Sequence, residues 1–253
     1  MESLASLNCP EQVVCTTPLS AASIWQDILA QAVTGELMAA MNYSALSTIC
    51  DDPDEVREAL EHAQGEQGHA AAFAAEGRKI GVIVPDNVNA RYWKRIREAF
   101  MRCIAGRDII ACLIVQEIML ESFAVASYTR VGKAAPGSLG KTFAAIAAEE
   151  EGHIEHAMEI LRAERACDPQ RFDEKVYRLH LDVMTTLTEM VARDCRNGQC
   201  ELCHSSCVKS SLSEVGLTTA ELRGASLQQY LKTLDALGLP GEVTLQWVTQ
   251  LPV

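Results

Sequence analysis

The chain has 253 residues, of which 48% are hydrophobic and only 5% aromatic, enough for a sizeable core built mainly from Ala, Leu, Val, Ile and Met. That balance favours helix over sheet, so the expected class is all-α. A formal charge of −12 with no basic run argues against a nucleic-acid binder, because a phosphate backbone is held by clustered Lys and Arg.

Residues 1–16 show no period and read as an irregular arm. No basic region precedes an apolar one there, so no signal peptide is expected and a cytoplasmic chain is. Thr17 and Pro18 supply a cap and a first-turn proline for a helix predicted to reach about Cys50, with Ile24, Ile28, Leu29 and Ala32 on its inward stripe. Asp52 and Glu55 are spaced as a capping box for a second helix to about Gly77. A loop over Gly81–Asn89 and a shorter helix over Ala90–Ile104 follow. The third long helix is predicted over about Arg107–Val131, stopped by Gly132 and Pro136. Its most apolar part, Ile109–Met119, carries Gln116 and Glu117 and reads as a buried helix, with no transmembrane segment expected. A fourth helix is capped near Ser138 and ends near Cys167. A fifth, opened by Asp168-Pro169, runs to about Asp194. Residues 17–194 thus form one helical domain, followed by a Cys-rich segment over 195–215. A C-terminal helix and tail over 216–253 are expected to pack on the same domain. Thr218 and Glu221 make a capping box for that helix, and the tail Glu242–Leu251 reads equally as a short strand or a helical turn.

The chemistry lies in a repeat. Glu66-Gln-Gly-His69 and Glu150-Glu-Gly-His153 each set a carboxylate three residues before a histidine, on one face of a helix. Glu149 also shares a face with His153, but the spacing of the first pair selects Glu150. Glu36 stands 30 residues before Glu66, and Glu121 stands 29 before Glu150. Each unit is therefore a helix with one glutamate, a connection, and a helix with Glu-x-x-His. Two such units packed together place four carboxylates and two imidazoles inside a ferritin-like four-helix bundle with additional peripheral helices, the arrangement that holds two iron or manganese ions. In the ordinary geometry of such sites Glu36 and Glu121 are terminal ligands, Glu66 and Glu150 bridge, and His69 and His153 bind one ion each. Glu117, one turn before Glu121, fits the repeat less well and reads as an acid beside the ligands or as a competing ligand. Met38, Met41, Tyr43, Phe73, Phe123, Ala124 and Tyr128 are candidates for an apolar lining around the metals.

The chain also resembles a known family. Gly35-Glu36 with Asn42-Tyr43, the Glu66–His69 helix, the Cys112–Tyr128 helix, the Glu150/His153 pair and Val215–Leu222 are similar to the aldehyde-deformylating oxygenases, or long-chain fatty aldehyde decarbonylases. The resemblance covers about residues 20–230. It implies a non-haem di-iron oxygenase that converts a long-chain aldehyde to a hydrocarbon plus formate, using O2 and an external electron donor such as ferredoxin and its reductase. It also implies Gln116 and Tyr128 as hydrogen-bond partners of the ligands. Alternatives on the same bundle are hydroxylation or N-oxygenation of another metabolite, or a metal-handling or peroxide-reducing module. The chain departs from the family in Glu117, in Gly68, and in Cys195, Cys200, Cys203 and Cys207, whose spacing can supply a zinc site with His204 in reserve, or hold free thiols or a disulfide.

Overall fold

The computed structural model describes residues 20–192 and 207–252. Every regular element among the described residues is a helix. Helix α1 (Ala21–Leu46) starts where the Ser20 hydroxyl accepts the Ser23 N–H at 3.1 Å, so Ser20 is the cap in place of the expected Thr17, which lies outside the described residues. Helix α2 (Pro53–Lys79) has proline in its first turn and Asp52 as cap. The Asp52 carboxylate takes the Asp54 N–H at 2.8 Å, so the box expected with Glu55 does not form. Helix α3 (Arg91–Ala105) buries Trp93, Ile96, Phe100 and Ile104 on one face.

The next helix is continuous over Ile109–Ala134 but changes pitch inside. Asp108 caps α4 (Ile109–Leu113), a π-helical turn occupies Ile114–Leu120, and α5 (Glu121–Ala134) completes it. Gly132 sits within this helix instead of ending it, and Ala135-Pro136 makes the break. The span is long and apolar enough to cross a membrane, yet most of it is buried against the rest of the protein, as a core helix is. Helix α6 (Gly137–Cys167) follows directly. Ser138 does not cap it: its hydroxyl donates to Glu76 of α2 at 2.7 Å and ties the two helices together. The predicted fifth helix appears as α7 (Pro169–Leu179), a second π-helical turn (His180–Met184) and α8 (Thr185–Ala192). A short helix α9 (Val208–Glu214) forms within the segment read as Cys-rich. The Thr218/Glu221 capping box opens α10 (Thr219–Ala236) as expected, and the ambiguous tail is a helix, α11 (Gly241–Thr249).

Helix α1 packs along α2 and α5 along α6, and the two pairs enclose the interior of a four-helix bundle, with α9 laid on α1 and α10 on α5. The α5–α6 corner is the tightest point. A Cβ on Gly140 would sit 2.8 Å from the carbonyl oxygens of both Ala135 and Gly132, and backbone cannot swing away as a side chain does. Gly140→Ala is therefore expected to cost about 1–3 kcal/mol through overpacking. Gly224→Ala, on the exposed face of α10 with open space around the new methyl, is expected to gain about 0.5–1 kcal/mol. Thermal melts of the two variants check the opposite signs.

Candidate metal centre

Four helices deliver the polar groups of the interior. Glu36 comes from α1, Glu66 and His69 from α2, Gln116 and Glu117 from the π-helical turn, Glu121 from the start of α5, and Glu150 and His153 from α6. Ligand atoms of Glu36, Glu66, His69 and Glu150 all lie within 4.8 Å of one another, and all four residues are buried. Nδ1 of His69 is 2.9 Å from Glu150 Oε1, 3.2 Å from Glu36 Oε2 and 3.5 Å from Glu66 Oε2. On the other side Nδ1 of His153 is 3.0 Å from Glu150 Oε2 and 3.5 Å from Glu66 Oε1. Glu66 and Glu150 therefore each turn one oxygen to one imidazole and one to the other.

These close approaches are not all hydrogen bonds. Both oxygens of Glu66, both of Glu150 and Nδ1 of His153 are buried without a hydrogen-bond partner. Leaving so many polar atoms unsatisfied is costly in a folded core, and lone pairs converging on common points without protons between them match a cation site. Oxygen with imidazole nitrogen is a donor set for iron or manganese. The remaining contacts hold the donors in place. The Tyr128 hydroxyl donates to Glu36 Oε1, and Gln116 Nε2 donates to Glu121 Oε1 at 2.6 Å. Asn42 Nδ2 in turn donates to Gln116 Oε1 at 2.8 Å. The far nitrogen of His69, Nε2, lies 2.9 Å from Glu149 Oε2, a carboxylate behind an imidazole that fixes which ring nitrogen faces inward.

The electrostatics report the same need. Burial pushes the Glu66 carboxyl up to about 10, with the charges of Glu150 and Glu36 adding to it against the pull of His69. Burial raises Glu121 well above the carboxylate range, helped by Glu150 and Glu66, and it raises Glu36. Glu117 is pushed up to about 7, again first by burial, with Tyr43 and His153 opposing. Glu150 is the exception: burial pushes it up too, but His153 and His69 outweigh that and hold it below its ordinary value. Carboxylates that resist ionising in this way become ordinary anions only beside positive charge.

All six residues predicted from the repeat face one interior. Glu121 stands outside the tightest group of four, tied by Gln116, and His153 is partly exposed. Glu117, read as an acid beside the ligands, is buried there with its Oε1 accepting from the Tyr43 hydroxyl. Sequence reasoning missed two features. Glu149, set aside in favour of Glu150, is the partner of His69. His62 stacks on Tyr43 with ring centroids 5.0 Å apart and meets His153 edge-on at 4.5 Å. Three of the four cysteines of the proposed zinc site, and His204, lie outside the described residues; Cys207 is half-buried at the start of α9.

An apolar cavity of about 210 Å³ meets the centre at Glu36, Glu66 and Glu121. Met38, Phe123, Ala124 and Tyr128 line it as expected. Tyr43 and Phe73 are core residues away from its wall, and Met41 is 38% exposed, because it falls on the outer side of α1.

Residues 21–229 match the family described as long-chain fatty aldehyde decarbonylase. The fold is also similar to a solved Synechococcus structure, protein 19 with aldehyde deformylating oxidase activity. The TM-score is 0.76 at 19% identity, covering 91% of this chain and 98% of that one.

The raised Glu66 carboxyl gives a pH test. Folded, it keeps a proton up to about pH 10; unfolded, it releases it near 4.5, so stability is fully present below about 4.5 and is lost as pH rises towards 10. Metal-free protein is expected to melt at falling temperature between about pH 6 and pH 9, by at most about 1.4 kcal/mol per pH unit from this group. Glu66→Gln should flatten the slope, and a saturating divalent cation should reverse the loss in the parent chain.

Proposed function

The chain belongs to the long-chain fatty aldehyde decarbonylase family, and on that premise we propose that it is a non-haem di-iron oxygenase. It cleaves a long-chain aldehyde to a hydrocarbon one carbon shorter plus formate, using O2 and electrons from an external donor such as ferredoxin and its reductase. The observation that carries this reading is the apolar cavity ending on Glu36, Glu66 and Glu121. A module that only handles metal has no use for an oily chamber against its carboxylates, whereas an enzyme acting on an alkyl chain requires one.

In this reading Glu36, Glu66, His69, Glu121, Glu150 and His153 would together hold the two ions. Iron or manganese bound there supplies the O2 and redox chemistry that no side chain of this set provides. The protein's part is positioning and exclusion. Tyr128 and Gln116 anchor Glu36 and Glu121, which line the cavity, so the carboxylates nearest the substrate are held at one oxygen. Glu149 keeps His69 with Nδ1 inward. Met38, Phe123, Ala124 and Leu120 offer the aldehyde's chain apolar surface and keep bulk water from the reacting end. The Tyr43 hydroxyl hydrogen, held on Glu117 Oε1, places one proton beside the centre on the side away from that wall.

Anaerobic loading with Fe(II), then addition of O2, a reductant and an aliphatic aldehyde, is expected to release formate in step with aldehyde consumed; iron uptake without formate refutes the activity. His69→Ala and Glu150→Ala are each expected to lower bound iron from two per chain to one or none. Retention of both ions in either variant would remove the ligand assignment.

A further inference from the structure

The wall of the cavity carries charge of both signs. On α5 its wall runs from Leu120 and Glu121 to Val131, a helical face of roughly 16 Å at 1.5 Å per residue. Three charged lining residues, Glu36, Glu66 and Glu121, belong to the metal centre. The other two are basic: Lys209 of α9 and Arg223 of α10. The position of Arg223 follows from how α10 lies on α5. Ser122 Oγ meets Thr233 Oγ1 at 3.2 Å and Ser127 Oγ meets Ser226 Oγ at 3.5 Å, so the helices run antiparallel. Arg223, three residues before Ser226, therefore stands level with the Val131 end of the wall, remote from Glu121.

Lys209 and Arg223 are both half-buried, and among the described residues neither meets a carboxylate. Lys209 Nζ donates to the Ala192 carbonyl at 3.4 Å. Arg223 donates to the Pro252 carbonyl, while its buried Nε has no hydrogen-bond partner among the described residues. Removing cations from water without an anion is unfavourable, and this chain has acidic side chains in excess. With its aldehyde at the glutamate end, a plain alkanal would bring only a methyl group to these two cations. A chain ending in an anion would neutralise them and leave the apolar wall to its methylenes.

We propose that Lys209 and Arg223 form a subsite for a carboxylate at the far end of the substrate, so that the preferred aldehyde is an ω-carboxy aldehyde of about ten to twelve carbons, the length that spans the wall, and the product beside formate is then an alkanoate one carbon shorter in place of a hydrocarbon. This rests on the aldehyde reading only for which end of the chain lies at the glutamates.

The test compares decanol with ω-hydroxydecanoate, two probes that differ only in the far end, by calorimetry on the iron-loaded protein. The hydroxy acid is expected to bind about ten-fold more tightly, the effect of charge-assisted hydrogen bonds at a half-buried site. The preference should shrink between about 50 and about 500 mM salt in the unmodified protein, a readout that needs no variant. It should vanish in Lys209→Ala/Arg223→Ala and in the milder Lys209→Gln/Arg223→Gln, each checked for helicity and iron content. Equal binding of the two probes overturns the proposal. So does a preference that survives both double variants, because the carboxylate is then held by iron. Formate release from decanal and ω-oxodecanoate reports separately. Silence from both aldehydes with the binding preference intact removes the aldehyde activity and leaves the carboxylate subsite standing.

Discussion

Five carboxylates, those of Glu36, Glu66, Glu117, Glu121 and Glu150, are buried in one apolar core with two imidazoles close by, and the rest of the structure answers to that concentration of negative charge. An isolated ion of this kind costs several kcal/mol to take out of water. The bundle meets the problem with hydrogen bonds from Tyr128, Tyr43 and Gln116 and with ion-pair contacts from His69 and His153. These leave oxygens of Glu66 and Glu150 without partners, which is why the interior makes sense as a cation site and poorly as a purely structural polar network.

Much of this was legible in the sequence because it rests on spacing. A helix turns predictably, so Glu66/His69 and Glu150/His153 each had to share a face, and the matching intervals from Glu36 and Glu121 linked the two halves. Helix ends depended on single contacts and were less secure. Ser20 caps α1 where Thr17 was expected, Ser138 bridges to Glu76 instead of capping α6, and the final helix competed with a strand reading. What stayed hidden came from tertiary approach. Glu149 reaches His69 across 80 residues, and no periodicity within α6 shows that an exposed carboxylate finds a buried ring on α2.

The π-helical turn at Ile114–Leu120 is the local departure with the widest effect. In a regular helix Gln116 and Glu121, five residues apart, would not share a face, yet here Gln116 Nε2 reaches Glu121 Oε1. Widening the turn brings Gln116, Glu117 and Glu121 to the interior together, and such single wide turns are frequent at functional sites. Glu117, four residues before Glu121, would share its face in a regular helix as well; the residue that the wider turn adds is Gln116, which counting at a fixed period does not place there.

The stack of rings beside the centre has a consequence for traffic. Tyr43, His62 and His153 line no part of the apolar cavity, and beyond them Glu58 and His156 form an exposed ion pair at 2.6 Å. An alkyl chain in the cavity therefore reaches Glu36, Glu66 and Glu121 without passing the rings, which are never part of its path.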